Sequence, residues 1–259
     1  MPESLSVSID DGVARVALAR PDVRNAFNAE VIAALDETFA QLGTSPHVRA
    51  VVLSGEGRVF CGGADINWMR ASLALSYDEN VADAERMSEM FRTIDRCPKP
   101  TIARVHGAAL GGGAGLVAVC DVAIASDDAL FGFTESKLGI IPAVISPFVL
   151  AKIGASHARA LFLTGERFGA ARAREIGLVH EVVASDALDQ AVDRVLGELH
   201  TAGPSAVAAA KALVHDVRAC SYDASKELTA RAIAKQRVTP EGQEGLRAFL
   251  ERRPASFAR

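Results

Sequence analysis

Long apolar runs are missing from this chain of 259 residues. None approaches the roughly 18 residues that a membrane span needs, and the opening MPESLSVSID has neither the charged nor the apolar region of a signal peptide. Both absences predict a cytoplasmic protein with no membrane partner. Cysteine is sparse as well. Cys61, Cys97, Cys120 and Cys220 stand far apart with no CxxC pair, which argues against a disulfide framework or a zinc site and for reduced, mostly buried thiols. The six histidines, at 47, 106, 157, 180, 200 and 215, show no i, i+4 pairing or other ligand spacing, so no metal is expected. A net charge of −4, with Lys and Arg spread along the chain, provides no basic stripe for nucleic acid. What remains is a chain long enough to bury a substantial core, as one large domain or as one domain with an appendage.

The first two thirds alternate strand and helix. Leu5 to Asp10 and Val13 to Ala19 read as a hairpin turning at Asp11 and Gly12. Asn28 can cap a helix whose apolar face is Val31, Ile32, Leu35, Phe39 and Leu42. A buried strand follows at Val48 to Leu53, then a glycine-rich loop from Gly55 to Gly63. A charged helix spans Tyr77 to Ile94 until Pro98 and Pro100 stop it. Strands at Pro100 to Val105, Val122 to Ala125, Leu130 to Phe133 and His180 to Val183 enclose helices at Ser146 to Ile153, His157 to Leu163 and Ala170 to Ile176. From Ser185 onward the patterns are helical only. The expected architecture is α/β, with stacked layers of two short strands and a helix as a core over 1–200, and a helical appendage over 201–259 packed on that core or on a neighbouring subunit.

Gly111 to Gly113 sit where the strand at Pro100 to Val105 gives way to a small-residue helix ending near Cys120. Such a junction bares N–H groups at a helix N-terminus, suited to an oxygen that becomes negative. Glu135 is the carboxylate of an apolar stretch running from Ala129 through Ile140. Together they read as an enzyme that stabilises an oxyanion and moves a proton. For a thioester, two converging donors would contribute several kcal/mol, roughly 3 kcal/mol each. Gly112 is one candidate donor. The best candidate loop for the second is Phe60-Cys61-Gly62-Gly63-Ala64-Asp65, whose glycines allow close backbone approach, with Ala64 N–H as the donor. Taken alone, a glycine triplet more often serves strand-on-helix packing than catalysis. Cys61 has no histidine partner that the sequence can place near it, which favours a packed residue over a thiol nucleophile. Asp121 reads as a structural hydrogen-bonding residue at the helix-to-strand turn.

The chain resembles the crotonase family, the enoyl-CoA hydratase/isomerase superfamily. The resemblance runs through Arg24-Asn25-Ala26-Phe27-Asn28, Gly62-Gly63-Ala64-Asp65, Ala109-Leu110-Gly111-Gly112-Gly113, Cys120-Asp121, Phe131-Gly132 with Glu135, Leu138-Gly139-Ile140-Ile141-Pro142 and Leu163-Thr164-Gly165. It implies a spiral of strand and helix units and an acyl-CoA substrate, with coenzyme A entering as the thioester and no separate cofactor. By similarity, the N–H groups of Ala64 and Gly112 hold the thioester oxygen and Glu135 exchanges a proton with the substrate carbons. Arg24, Ala26, Gly62, Ala64, Asp65 and Ile66 line the adenine and pantetheine path beside Gly112. Phe249 and Arg252 match C-terminal positions that reach coenzyme A, often from a neighbouring subunit of a trimer or dimer of trimers.

One position departs from the family. Typical hydratases carry a second glutamate where this chain has Gly115, and loss of an acid/base group ordinarily costs about 10² to 10⁴ in rate. A double-bond isomerase needs only one base, and Glu135 with Gly115 meets that minimum. Against this, Gly111 to Leu116 and Ile141 to Val149 resemble a bacterial branch that hydrates 3-methylglutaconyl-CoA and isohexenylglutaconyl-CoA, substrates whose own distal carboxylate would help to order water. The expectation is therefore a hydratase first, an isomerase second and a non-catalytic acyl-CoA binder third. Met87, Met90 and Phe91 are expected along the acyl pocket.

Overall fold

Asp11 and Gly12, with φ of 42° and 78°, turn the chain between β1 (Leu5–Asp10) and β2 (Val13–Leu18), the left-handed pair that a two-residue hairpin requires. In this computed structural model, which describes residues 4–258, Asn28 caps α1 (Ala29–Thr44) by accepting from Val31 N–H at 2.9 Å. The face of α1 carrying Val31, Ile32, Leu35, Phe39 and Leu42 is buried. β3 spans Ala50–Gly55, two residues later than the apolar run from Val48 suggests. Val48 N–H bonds back to Ser45 O in the turn after α1, and pairing with β2 starts at Val13 opposite Ala50.

The chain then winds through α2 (Ile66–Ser72), α3 (Tyr77–Arg96), β4 (Thr101–Val105), β5 (Ala108–Leu110), α4 (Gly112–Val119), β6 (Val122–Ser126), β7 (Leu130–Gly132), α5 (Ser146–Thr164), β8 (Arg167–Gly169), α6 (Ala170–Glu175) and β9 (Glu181–Val183). α3 begins with a reciprocal Ser76–Glu79 capping box and stops just before Pro98. Gly154, at φ 72° and ψ 164°, breaks α5, so the two helical patterns read on either side of it form one bent element. The strands make two sheets. The larger has the order β1-β2-β3-β4-β6-β9 and the smaller β5-β7-β8. Isolated bridges Cys61–Ala109 and Phe27–Ala64 extend the smaller one. Successive passes thus contribute a strand to the large sheet and a short one to the small sheet before a helix: β3 then the Cys61–Ala64 segment, β4 then β5, β6 then β7. This is the α/β spiral that the resemblance implies. The short strands β5 and β8 and the helix α2 have too few residues for a periodic signal.

α7 (Leu188–Thr201) covers the large sheet and buries Leu188, Ala191, Val192 and Leu196. The last three helices, α8 (Pro204–Arg218), α9 (Tyr222–Arg237) and α10 (Pro240–Leu250), bury only Ala248 among the described residues. Polar contacts tie them to the body. Arg49 donates to Ala202 O at 2.7 Å and to Phe257 O at 2.9 Å. Lys211 Nζ lies 2.8 Å from Asp121 Oδ2, which also accepts from Thr101 N–H at 2.7 Å and Thr101 Oγ1 at 2.9 Å. Asp121 therefore joins the start of β4 to α8. Among the described residues no helix is long and apolar enough to cross a membrane.

Removing Asp121 would leave the Thr101 N–H and the Lys211 ammonium without their shared acceptor. Asp121→Ala should lower unfolding stability by about 2–4 kcal/mol, measured as a shifted urea midpoint at unchanged slope; a loss under about 0.5 kcal/mol would contradict the role given to this carboxylate.

Candidate active site

The site grows from a clamp between two loops. Asn25 is buried and left-handed, at φ 55°, a backbone state that its short polar side chain tolerates better than most. Its Oδ1 accepts from Arg20 N–H at 2.9 Å, while Nδ2 donates to Glu56 O and Val59 O, each at 2.9 Å. The Arg24–Asn28 segment is thereby fixed against the loop that follows β3. Arg24, also left-handed at φ 58°, accepts from Gly62 N–H through its carbonyl at 2.8 Å. Its side chain lies over Gly62, where a Cβ would meet Arg24 Cβ at 3.1 Å. Ala26 is buried and its carbonyl accepts from Arg20 Nη1 at 2.8 Å.

Next to this clamp the backbone loses its regular alternation. Gly62 N–H donates to Arg24 O, and Asp65 N–H to Phe27 O, each at 2.8 Å. In an ordinary strand, residues 62 and 64 would face the same side. Gly63, at φ 102°, absorbs the mismatch, and Ala64 N–H has no acceptor among the described residues. Asp65 stabilises the turn from below. Its Oδ1 caps α2 by accepting from Asn67 N–H at 2.8 Å and Trp68 N–H at 3.4 Å, and its Oδ2 pairs with Arg20 at 3.0 Å. Burial pushes this carboxyl up, but the N–H bonds and the Arg20 guanidinium outweigh it and hold its pKa below the usual value. The Asp65 carboxylate is thus committed to structure, whereas Ile66 beside it is 74% exposed.

The second loop lies alongside. Cys61 N–H donates to Ala108 O at 2.9 Å and Leu110 N–H to Cys61 O at 3.0 Å. A Cβ on Gly63 would sit 3.2 Å from Leu110 O, and one on Gly113 only 2.7 Å from Cys61 O, so glycine at both positions permits the approach. Gly111 caps α4 at φ 51° and ψ −120°, and its N–H is taken by Gly132 O at 2.9 Å. Gly112 opens the helix, and its N–H, like others of a first turn, has no acceptor among the described residues. A Cβ there would press on the Phe27 ring at 2.9 Å and on Met87 Cε at 3.0 Å.

Glu135 begins the short 3-10 turn Glu135–Leu138 after β7. Its Oε1 would lie 3.3 Å from a Cβ on Gly111, which puts the carboxylate against the N-terminus of α4. Its Oε2 is buried without a hydrogen-bond partner. Burial raises the Glu135 pKa, and a bond from its own N–H offsets the rise in part. Cys61 is fully buried, and burial drives its thiol up to about 12 despite the Gly63 N–H beside it. It stays a thiol at neutral pH and packs as a small residue.

The structure therefore brings Arg24, Ala26, Gly62, Ala64, Gly112 and Glu135 to one cluster of loops. Phe249 and Arg252 lie at the end of α10, which packs against α8 and α9; Phe249 is 82% exposed, and no hydrogen bond or ion pair joins either residue to the others. Met90 is fully buried in the core, whereas Met87 is only partly buried and reaches Gly112. Sequence reasoning missed Phe27 and Ile145 as walls of the site, because each is brought there from another element. Gly115 lies fully inside α4 against Ile145 and Phe91.

Fold and comparisons define an enzyme of coenzyme A thioester chemistry. The family model described as enoyl-CoA hydratase/isomerase matches residues 8–259, and the chain belongs to that family. It is 32% identical over 252 residues to a putative enoyl-CoA hydratase of Thermus thermophilus, covering 97% of this chain and 100% of the relative. Among solved structures, an enoyl-CoA hydratase from Shewanella pealeana superposes with a TM-score of 0.95 at 37% identity, covering 98% of this chain and 96% of the other. Pseudomonas aeruginosa AtuE superposes with a TM-score of 0.96 at 38% identity, covering 99% and 100%.

The raised pKa of Glu135 has a thermodynamic consequence. Its ionised form is favoured in the unfolded chain, so this group supports folding below the ordinary carboxylate range and opposes it as pH rises through the folded value. Glu135→Gln should therefore be more stable than the parent at pH 8, with the difference vanishing below about pH 4. Thermal unfolding across that range checks it; a variant less stable at pH 8 would show that the carboxylate is held by partners.

Proposed function

We propose that this protein is an enoyl-CoA hydratase that adds water to a 2-enoyl-CoA, of short branched or glutaconyl type. The observation that carries the reading is the presence, in one cluster of loops, of two unclaimed N–H groups, on Ala64 and Gly112, and the Glu135 carboxylate with its Oε2 unpartnered. Two N–H donors on one thioester oxygen stabilise the enolate that forms when water attacks the β-carbon. The water oxygen bonds to that carbon, the double-bond electrons move to the thioester oxygen, and Glu135 takes the proton and returns one to the α-carbon. A carboxylate with a raised pKa is suited to both halves of that exchange near neutrality.

Coenzyme A would run over Arg24, Ala26, Gly62 and Ile66. Arg24 and Ile66 are exposed beside the donor turn, as such a path requires. Phe249 and Arg252 would complete it from a neighbouring subunit of a trimer or dimer of trimers, with residues 201–259 forming the assembly layer. The exposure of Val238, Leu246, Phe249 and Leu250 supports an apolar interface there. A distal carboxylate on a glutaconyl chain would help to hold the water that Glu135 activates.

A second reading, enoyl-CoA isomerisation with Glu135 as the sole acid/base, is favoured by the hydrocarbon around Gly115. Heavy-oxygen water separates the two. A 2-enoyl thioester that gains the mass of labelled water identifies the hydratase. A 3-enoyl thioester converted to the 2-enoyl form without added mass, and with no hydration, would overturn it in favour of the isomerase.

Glu135→Gln should lower kcat by about 10² to 10⁴ while thioester affinity stays within a few-fold, measured by steady-state kinetics and calorimetry. In the parent, kcat should fall as pH drops through the raised pKa of Glu135, because the base is then protonated. Activity of the variant within a few-fold of the parent would remove Glu135 from the mechanism.

A further inference from the structure

Glycine at 115 reads in the sequence as a catalytic acid trimmed away. The packing around it says that the space is taken. Gly115 lies within one helical turn of Gly111 and Gly112 on α4, so side chains at these positions share a face. A Cβ at 115 would collide with Ile145 Cγ2 and lie 3.0 Å from Phe91 Cζ and 3.1 Å from Ile145 Cβ. Neither neighbour is at liberty to move. Ile145 is the N-cap residue of α5, 2% exposed, with the stiff χ1 of a β-branched side chain. Phe91 is fully buried on α3, between Phe27 at 6.3 Å and Phe148 at 5.7 Å between ring centroids. The volume beside Gly115 is therefore filled from two other elements.

The two flanks of the site differ accordingly. On the β7 side stands Glu135, with one oxygen unpartnered. On the α4 side, a turn along the helix, stand the methyl groups of Ile145 and the ring of Phe91. Water attacking a β-carbon is best held by polar groups on both flanks. Returning a proton across an enolate needs one base only.

We propose that Ile145, seated against Gly115, fixes this site at a single carboxylate and thereby sets its partition between adding water and moving a double bond. The inference rests on the hydratase/isomerase reading above. Ile145 is a positioning residue: it determines which side chain position 115 accepts. A carboxylate at 115 is compatible with the fold only when residue 145 is small.

The test compares the parent, Gly115→Glu, Ile145→Ala and the double variant. Each is unfolded thermally and assayed with crotonyl-CoA, a glutaconyl-type 2-enoyl-CoA and a 3-enoyl-CoA in heavy-oxygen water across pH. Gly115→Glu alone should unfold about 5 °C or more below the parent, from overpacking and a buried charge. The double variant should return to within about 2 °C of Ile145→Ala. It should also raise the ratio of hydration to isomerisation at least about tenfold over the parent and add an ionisation to the pH profile of kcat, as a second working carboxylate requires. Ile145→Ala alone should add no ionisation. A Gly115→Glu protein as stable as the parent would overturn the proposal, as would a double variant with the parent's ratio and pH profile. A parent that turns over none of these thioesters would instead sink the reading of the preceding section, and the stability of Gly115→Glu with and without Ile145→Ala would still decide this one.

Discussion

Backbone N–H groups inside a folded chain nearly all have acceptors, so a site made from two that do not must be built by the structure around them. Here the construction depends on one peptide reversal. Gly63, in a backbone state that other residues rarely adopt, breaks the alternation of its strand, and the bonds to Phe27 are made by Gly63 O and Asp65 N–H, on either side of Ala64. The turn is held from both ends. Asn25 and Arg24 secure it to the loop after β3, and Asp65 anchors it to Arg20 and α2. A second N–H without an acceptor among the described residues belongs to Gly112, at the start of α4, where the helix itself offers none.

Glu135 supplies the complementary quantity. A carboxylate near a helix N-terminus is ordinarily favoured in its charged form, yet burial dominates here and its pKa rises. Its ionised form is held at some expense to folding. Asp65 and Asp121 show the opposite arrangement, with carboxylates engaged by N–H groups and a cation. Those two carboxylates are therefore structural, whereas Glu135, with Oε2 unpartnered, lies against Gly111 at the start of α4.

Much of this was legible in the sequence because it is local. The Asp11-Gly12 turn, the Asn28 cap, the proline stop after α3 and the glycine run before α4 each follow from residue chemistry within a few positions. The late start of β3 was not legible, since register with β2 overrides the apolar run. Neither were β5 and β8, three residues each, whose pairing partners lie elsewhere in the chain. In the site, Gly112 and Glu135 were prominent through their setting. Met87, expected along the pocket, does reach Gly112, whereas Phe27 and Ile145 come beside α4 through contacts that join separate helices and loops.

The sequence by itself determined the order of the α/β units, the two glycine-bearing loops and the single acid of the stretch from Ala129 through Ile140, because each is written in short-range pattern and composition. Only the tertiary structure decided that Ala64 N–H goes unclaimed, that Oε2 of Glu135 lacks a partner, and that the space beside Gly115 belongs to Ile145 and Phe91. Those outcomes depend on close packing between elements far apart in the chain, and a distance between side chains has no counterpart in the spacing of residues along it.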